Sequence, residues 1–244
     1  MNPKFSIIIP AYNESNRIVR SLNKILGYFK NKKVGYEIII VNDGSPDNTF
    51  NVVRDLSKKN KKIRVISYNK NRGKGYAVKT GVLNSSGEYI LFTDADLSTP
   101  IEELENLMDW TNQGYDFIFG SRGIDSSKVK VKQPLYRRIF AFLARVYVQL
   151  VVFTFAATPK DTQCGFKLFT RKTACFLFRK MKIDGGMFDI ELLYIAKKWG
   201  IKTKEVPVIW ANNTDSKIKF IKCILFDPID LIKLRIYDLA GKYN

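Results

Sequence analysis

The chain contains no histidine. Histidine is the side chain whose ordinary pKa lies nearest neutrality. Its absence removes the usual general base, any serine–histidine nucleophile pair and any histidine-bound zinc. Cysteine is scarce: Cys164, Cys175 and Cys223 stand alone, without metal-site spacing, and read as free thiols of a reducing compartment. Acidic residues are outnumbered, with 23 Asp and Glu against 41 Lys and Arg and a formal charge of +18. A field of that sign draws anionic partners, whether nucleic acid, acidic lipid headgroups or phosphorylated substrates. No helix-turn-helix, zinc or aromatic RNA-reading signature accompanies it, so nucleic acid is not the expected partner. Repeats and low-complexity linkers are missing too. A strand pattern begins within a few residues of Met1, which predicts no secretory leader. At 244 residues and 45% hydrophobic content, one large domain, or one domain with a tail, is expected.

What is present gathers at strand ends. Tyr89-Ile90-Leu91-Phe92 reads as a strand covered on both faces, as in a parallel α/β sheet, and leads to Asp94-Ala95-Asp96. A carboxylate pair there is costly unless it faces a cleft and binds a cation. The ligand crevice of open α/β sheets lies at strand carboxyl ends, and oxygen ligands suit Mg2+ or Mn2+ arriving with substrate phosphates. A lone D-x-D is more often a solvated acidic turn, so its neighbours matter. Phe5-Ser6-Ile7-Ile8-Ile9 ends in Pro10-Ala11-Tyr12-Asn13-Glu14, and Tyr36 to Val41 ends in Asn42-Asp43-Gly44-Ser45. Asp43-Gly44 is a turn signal that places Asp43 to accept hydrogen bonds from a base or ribose. Ile63 to Ser67 leads into Asn71-Arg72-Gly73-Lys74-Gly75, then a helix from about Tyr76. Two glycines and two cations before a helix could cradle phosphate on backbone N–H groups. The loop is neither a Walker loop nor a complete dinucleotide fingerprint, because Val78 stands where the last small residue belongs.

Four blocks carry a resemblance: SIIIPAYNE at 6–14, IVNDGSPD at 40–47, NRGKGYAVKTG at 71–81 and FTDADLS at 92–98. In order, spacing and type the chain resembles the family-2 inverting glycosyltransferases of the GT-A fold. DTQCGFKLFTR at 161–171, with FDIELLYIAKKWG at 188–200, is similar to the dolichyl-phosphate β-glucosyltransferase branch and its polyprenyl-phosphate relatives. The resemblance implies an α/β, Rossmann-like GT-A domain over 1–215, a mostly parallel sheet flanked by helices. It also implies a UDP-hexose donor, glucose first, a dolichyl or polyprenyl phosphate acceptor, and Mg2+ or Mn2+. By motif match, Pro10, Tyr12, Glu14 and Asp43 would contact the nucleoside, and Gly73 and Lys74 the donor phosphates. Asp94 would contact the ribose, donor or metal, and Asp96 would hold the divalent ion. Related mannosyltransferases carry a metal-binding Gln two residues after the second Asp; Ser98 departs from that ligand set. Arg122, Gln163, Ser216 and Lys217 are candidates for the acceptor phosphate. Asp161 is a candidate to orient the acceptor or a cation, a capping role being the alternative. Asp189 and Glu191 match the branch pattern and suit structural roles equally.

The missing histidine agrees with a phosphate acceptor. A phosphate monoester has a second pKa of about 6 and is largely ionised at neutral pH, so it can attack the anomeric carbon without a strong base. A hydroxyl acceptor on a polysaccharide, lipid or protein, the other family-2 reading, needs a carboxylate base. A nucleotidyltransferase shares the sheet type but not the block from Asp161, and a plain basic binding protein gives no reason for Asp94 and Asp96.

Two stretches point to a membrane surface. Residues 139–157 approach the roughly 20 needed to span a bilayer. Arg138, Arg145 and Gln149 recur on one face, and a mid-membrane charge costs at least about 2.5 kcal/mol. An interfacial helix within 134–157 is expected, with a buried core helix as the alternative. In 216–244, Ile218, Ile221, Leu225, Ile229, Ile232 and Ile236 keep a helical period beside Lys219, Lys222, Lys233 and Arg235. Pro228 is expected to break that helix into two pieces. The expectation is an enzyme held peripherally at the cytoplasmic face of a membrane, with a separate integral partner or a second copy as further associations.

Overall fold

The computed structural model describes residues 3–124, 146–149, 152, 159–211 and 220–244, with 220–227 as helix backbone only. β-Branched runs that stop at turn residues alternate with amphipathic stretches, and the first half folds as repeated strand–helix units. They are β1 (Phe5–Ala11), α1 (Ile18–Lys30), β2 (Tyr36–Asp43), α2 (Thr49–Lys59), β3 (Ile63–Tyr68), α3 (Lys74–Leu83), β4 (Tyr89–Thr93) and α4 (Glu103–Thr111). Then come β5 (Phe117–Ser121), β6 (Phe166–Thr170), α5 (Arg171–Lys180), α6 (Phe188–Lys198), β7 (Thr203–Pro207) and α7 (Phe220–Leu239).

Among the described residues, seven strands form one sheet in the order β3-β2-β1-β4-β6-β5-β7. β1 pairs in parallel with β2 and β4, β2 with β3, and β5 with β7. β6 alone is reversed, antiparallel to β4 on one side and β5 on the other. The carboxyl ends of the other strands therefore share one edge with the amino end of β6. Side-chain alternation divides the core into two layers. Ile8, Ile39, Val41, Phe92 and Phe119 pack with α3, α5 and α6 on one face. Ile7, Ile9, Ile40, Leu91 and Leu168 pack with α1 and α4 on the other.

Against the expectation of two pieces, α7 runs unbroken through Pro228. Proline inside a helix forfeits one backbone bond and crowds the carbonyl one turn back, at about 3 kcal/mol. Burial of Leu231 and Leu234, within the next two turns, offsets it, and the Tyr147 hydroxyl donates to the Pro228 carbonyl at 3.4 Å. α7 carries two apolar stripes: Leu231 and Leu234 face the protein, whereas Ile229, Ile232, Ile236 and Leu239 lie exposed. Of the 134–157 segment only 146–149 and 152 are described; Val148 and Val152 are buried and Val146 is exposed. The rest of that segment, and Ile218, Ile221 and Leu225 as side chains, lie outside the described residues. Among the described residues, no helix is long and apolar enough to cross a membrane.

Replacing Pro228 with Ala should keep α7 intact and raise the melting temperature, by about 2–4 °C for each kcal/mol recovered. Thermal unfolding followed by circular dichroism checks this. A lowered melting temperature would show that packing requires the proline.

Candidate active site

The β4–β6 register brings two distant motifs together. Thr93 stands opposite Phe166, so the next residue on each side, Asp94 and Gly165, meet at the edge. The Asp94 N–H donates to the Gly165 carbonyl at 3.1 Å. A Cβ on Gly165 would lie 1.9 Å from Asp94 Oδ2, so only glycine leaves room for that carboxylate. Lys74, the first residue of α3, reaches the same carboxylate, with Nζ 2.8 Å from Asp94 Oδ1. Burial works against the Lys74 ammonium, yet Asp94, Asp189 and Asp96 around it raise its pKa above the ordinary value. Asp96 Oδ1 accepts the Ser98 N–H at 3.0 Å across a turn in which Leu97 takes φ +47°. That strained turn aims the second carboxylate.

Arg122 and Asp161 form a forked pair. Arg122 Nε donates to Asp161 Oδ2 at 2.6 Å and Nη2 to Oδ1 at 2.8 Å. The Arg122 and Gln163 backbone N–H groups donate to the same carboxylate, at 3.0 and 3.2 Å. Burial alone would raise the Asp161 carboxyl, but the Arg122 charge and these bonds hold it below its ordinary value. The ionised form therefore stabilises the fold above the ordinary carboxylate range, and that gain is lost as pH falls through the depressed folded value. Such a group is a poor general base. Burial also pushes the Cys164 thiol up to about 11, leaving no thiolate nucleophile there at neutral pH.

The nucleoside candidates lie along the β1 and β2 ends. Tyr12 is 43% exposed and projects beside Pro10 at the end of β1. Glu14 is buried and paired with Arg17, and its backbone N–H donates to Thr49 Oγ1 at 2.8 Å. Asp43 also serves the loop that follows β3. Its Oδ1 accepts the Arg72 N–H at 2.8 Å, and Oδ2 accepts Gly73 N–H at 3.0 Å and Asn71 Nδ2 at 2.9 Å. It thereby anchors the 71–73 loop; burial nonetheless raises its pKa. Gly73 takes φ +107°, and a Cβ there would lie 2.4 Å from the Asp184 carbonyl oxygen. α3 begins at Lys74 rather than Tyr76 because Gly73 caps it.

Glu191, open between functional and structural roles in the sequence, is structural. Fully buried, it accepts the backbone N–H groups of Lys182 and Ile183, each at 2.8 Å, and the Tyr243 hydroxyl. That holds the 182–184 turn, whose Asp184 carbonyl accepts the Tyr76 N–H at 3.1 Å. Asp189 lies buried with its Oδ1 2.9 Å from Lys167 Nζ. Lys167 escaped sequence reasoning; its signal is a lone cation between the apolar residues of FKLF in β6. Gln163 Nε2 rests 3.8 Å from Met187 Sδ, while Ser216 and Lys217 lie outside the described residues.

Asp94 and Asp96 offer hard oxygen donors of the kind that suit Mg2+ or Mn2+. Among the described residues no group of three or more acidic or cysteine side chains closes a full ligand set. The pair thus fits an ion that also binds substrate oxygens and water, as Mg2+ commonly does.

The sheet, its single reversed strand and this edge cluster belong to the nucleotide-sugar transferases of GT-A type. The sequence profile described as Glycosyl transferase family 2 matches residues 6–184, and the chain belongs to that family. It is 39% identical to a dolichyl-phosphate beta-glucosyltransferase of Trichomonas vaginalis over 98% of this chain and 73% of that protein. It is 36% identical to the dolichyl-phosphate beta-glucosyltransferase of Homo sapiens, over 99% of this chain and 78% of that one. In fold it is similar to glucosyl-3-phosphoglycerate synthase from Mycobacterium tuberculosis in complex with Mn2+, UDP-glucose and phosphoglyceric acid. That similarity has a TM-score of 0.67 at 17% identity and covers 96% of this chain and 79% of that one.

Gly165→Ala should leave the fold intact yet displace Asp94. Misplacing a reacting group by about 1 Å costs roughly 10²-fold, so glycosyl transfer should fall by that order. Steady-state rates beside an unchanged circular dichroism spectrum check it.

Proposed function

We propose that this chain transfers glucose from UDP-glucose to dolichyl phosphate or a related polyprenyl phosphate, inverting the anomeric centre to give a β-linked lipid-phosphate sugar. The observation that carries the reading is the pairing of the candidate carboxylates. Asp161 is ionised and forked to Arg122, Glu14 is bound to Arg17, and Asp43 is taken up by its loop. With no histidine in the chain, an acceptor that brings its own negative charge suits this site better than a hydroxyl. The names of the relatives, similar over nearly the whole chain, support glucose and dolichyl phosphate.

In this mechanism Pro10 and Tyr12 line the nucleoside end, and Lys74 stands beside the donor diphosphate. Asp96, with Asp94, would hold Mg2+ or Mn2+, which supplies charge neutralisation for the departing diphosphate. Arg122, already oriented by Asp161, lends positive charge to the incoming phosphate; Gln163, Ser216 and Lys217 are further candidates for it. The ionised phosphate oxygen attacks the anomeric carbon from the face opposite the diphosphate, and one displacement inverts it. The protein's part is alignment and electrostatic stabilisation.

The exposed Ile229, Ile232, Ile236 and Leu239 stripe of α7, beside Lys233 and Arg235, suits docking on an anionic membrane at its cytoplasmic face. A separate integral partner or a second copy is compatible with the same face.

Purified enzyme with UDP-glucose and Mn2+ should glycosylate dolichyl phosphate and leave dolichol untouched. The rate should fall as pH drops through about 6, where the acceptor gains its second proton. Asp96→Asn, or excess chelator, should abolish turnover. Comparable transfer to a free alcohol, or full activity in chelator, would sink the reading. In a separate test, Ile232→Glu with Ile236→Glu should abolish sedimentation with phosphatidylserine vesicles while leaving the circular dichroism spectrum unchanged.

A further inference from the structure

Lys167 is a buried cation that the displacement itself does not use. It sits inside β6 with Phe92 opposite on one neighbouring strand and Phe119 opposite on the other. Strand alternation calls for an aromatic or β-branched residue at such a position. The chain instead spends a lysine with no exposed surface. A buried ammonium is expensive unless it is paired and hydrogen-bonded. Nζ donates to the Thr162 carbonyl at 3.1 Å and to the Cys164 carbonyl, and lies 2.9 Å from Asp189 Oδ1 at the start of α6. Burial pushes the Asp189 carboxyl up, against the opposing charges of Lys167 and Lys74.

Two of these partners are main-chain carbonyls of one short segment, Asp161–Gly165. That segment turns the Thr162 and Cys164 carbonyls inward, while the Gly165 carbonyl accepts the Asp94 N–H at 3.1 Å. Buried carbonyls need donors, and the described donor for these two is the lysine. The same segment presents Asp161 to Arg122 and supplies the bare glycine against which Asp94 rests.

We propose that Lys167, held by Asp189, is a positioning residue for glycosyl transfer. It fixes the Asp161–Gly165 segment so that the Arg122–Asp161 pair and the Asp94 carboxylate stand in reacting geometry. It acts through these groups and does not touch substrate. The proposal rests on the transferase reading for its readout, and the test separates the two.

Wild type, Lys167→Met and the double variant Lys167→Met with Asp189→Leu are compared for melting temperature, binding of UDP with Mn2+ by calorimetry, and kcat for transfer to dolichyl phosphate. Lys167→Met leaves Asp189 buried and unpaired, so it should lower both melting temperature and kcat. Replacing both members of a buried ion pair by apolar residues of similar volume is often neutral or stabilising. The double variant no longer buries a lone charge, so it should regain most of the melting temperature that Lys167→Met loses, falling short of wild type by the two carbonyls left without a donor, while kcat stays reduced by about 10²-fold and UDP binding changes far less than kcat. A double variant that recovers kcat along with stability would show a merely structural pair and overturn the proposal. Should Lys167→Met fail to fold, the double variant carries the test. Should wild type glycosylate no lipid phosphate, the acceptor assignment falls. The positioning role is then read from UDP-glucose hydrolysis to water, where equal rates in wild type and double variant would overturn it.

Discussion

Asp94 and Gly165 meet because β6 runs against β4, with Thr93 opposite Phe166. The placement of the Asp161–Gly165 segment against the end of β4 depends on that contact. Parallel strands deliver their carboxyl ends to one edge, and β1, β2 and β4 bring Pro10, Asp43 and Asp94 there. A further parallel strand in the β6 position would have sent its leading loop to the opposite edge. The reversal instead delivers the residues before β6, so the segment from Asp161 faces the carboxylates. Glycine is then obligatory at 165, because the Asp94 carboxylate occupies the space a side chain would need.

The site is an alternation of charge rather than a pool of one sign. Lys74 lies against Asp94, Arg122 against Asp161 and Lys167 against Asp189. Each carboxylate orients the cation it binds; at Asp161 the Arg122 charge outweighs desolvation, whereas at Asp189 burial still prevails. A net charge of +18 says nothing of this order, since most of it is spread over exposed lysines.

The first half of the fold was legible in the sequence because its signals are local. β-Branched runs ending at Asn13, Asp43 or Asp94 mark strand ends within a few residues, and the sheet assembled from them is the expected one. Hydrogen-bond destinations were not legible. Asp43 reads as a ligand for a base, and its oxygens also accept from a loop that follows β3, which only the fold brings near. Arg122 and Asp161 each invite a substrate role when read singly, and their mutual pairing spans a crossover. Lys167 was hidden by its neighbours, since alternation identifies a face but not the carbonyls waiting there. At Pro228 a local rule failed because burial of Leu231 and Leu234 outweighed it.

The position of β6 also has a consequence for how the domain is held together. β5 hydrogen-bonds to β7 on one side and to β6 on the other, and β6 joins this group to β4. The sheet is thus two groups of strands riveted by one five-residue strand that enters late in the chain. β1 to β4 acquire their pairings through successive short crossovers, whereas β5 has no strand partner toward β4 until β6 arrives. The pairing that joins the two groups of strands also seats Gly165 against Asp94.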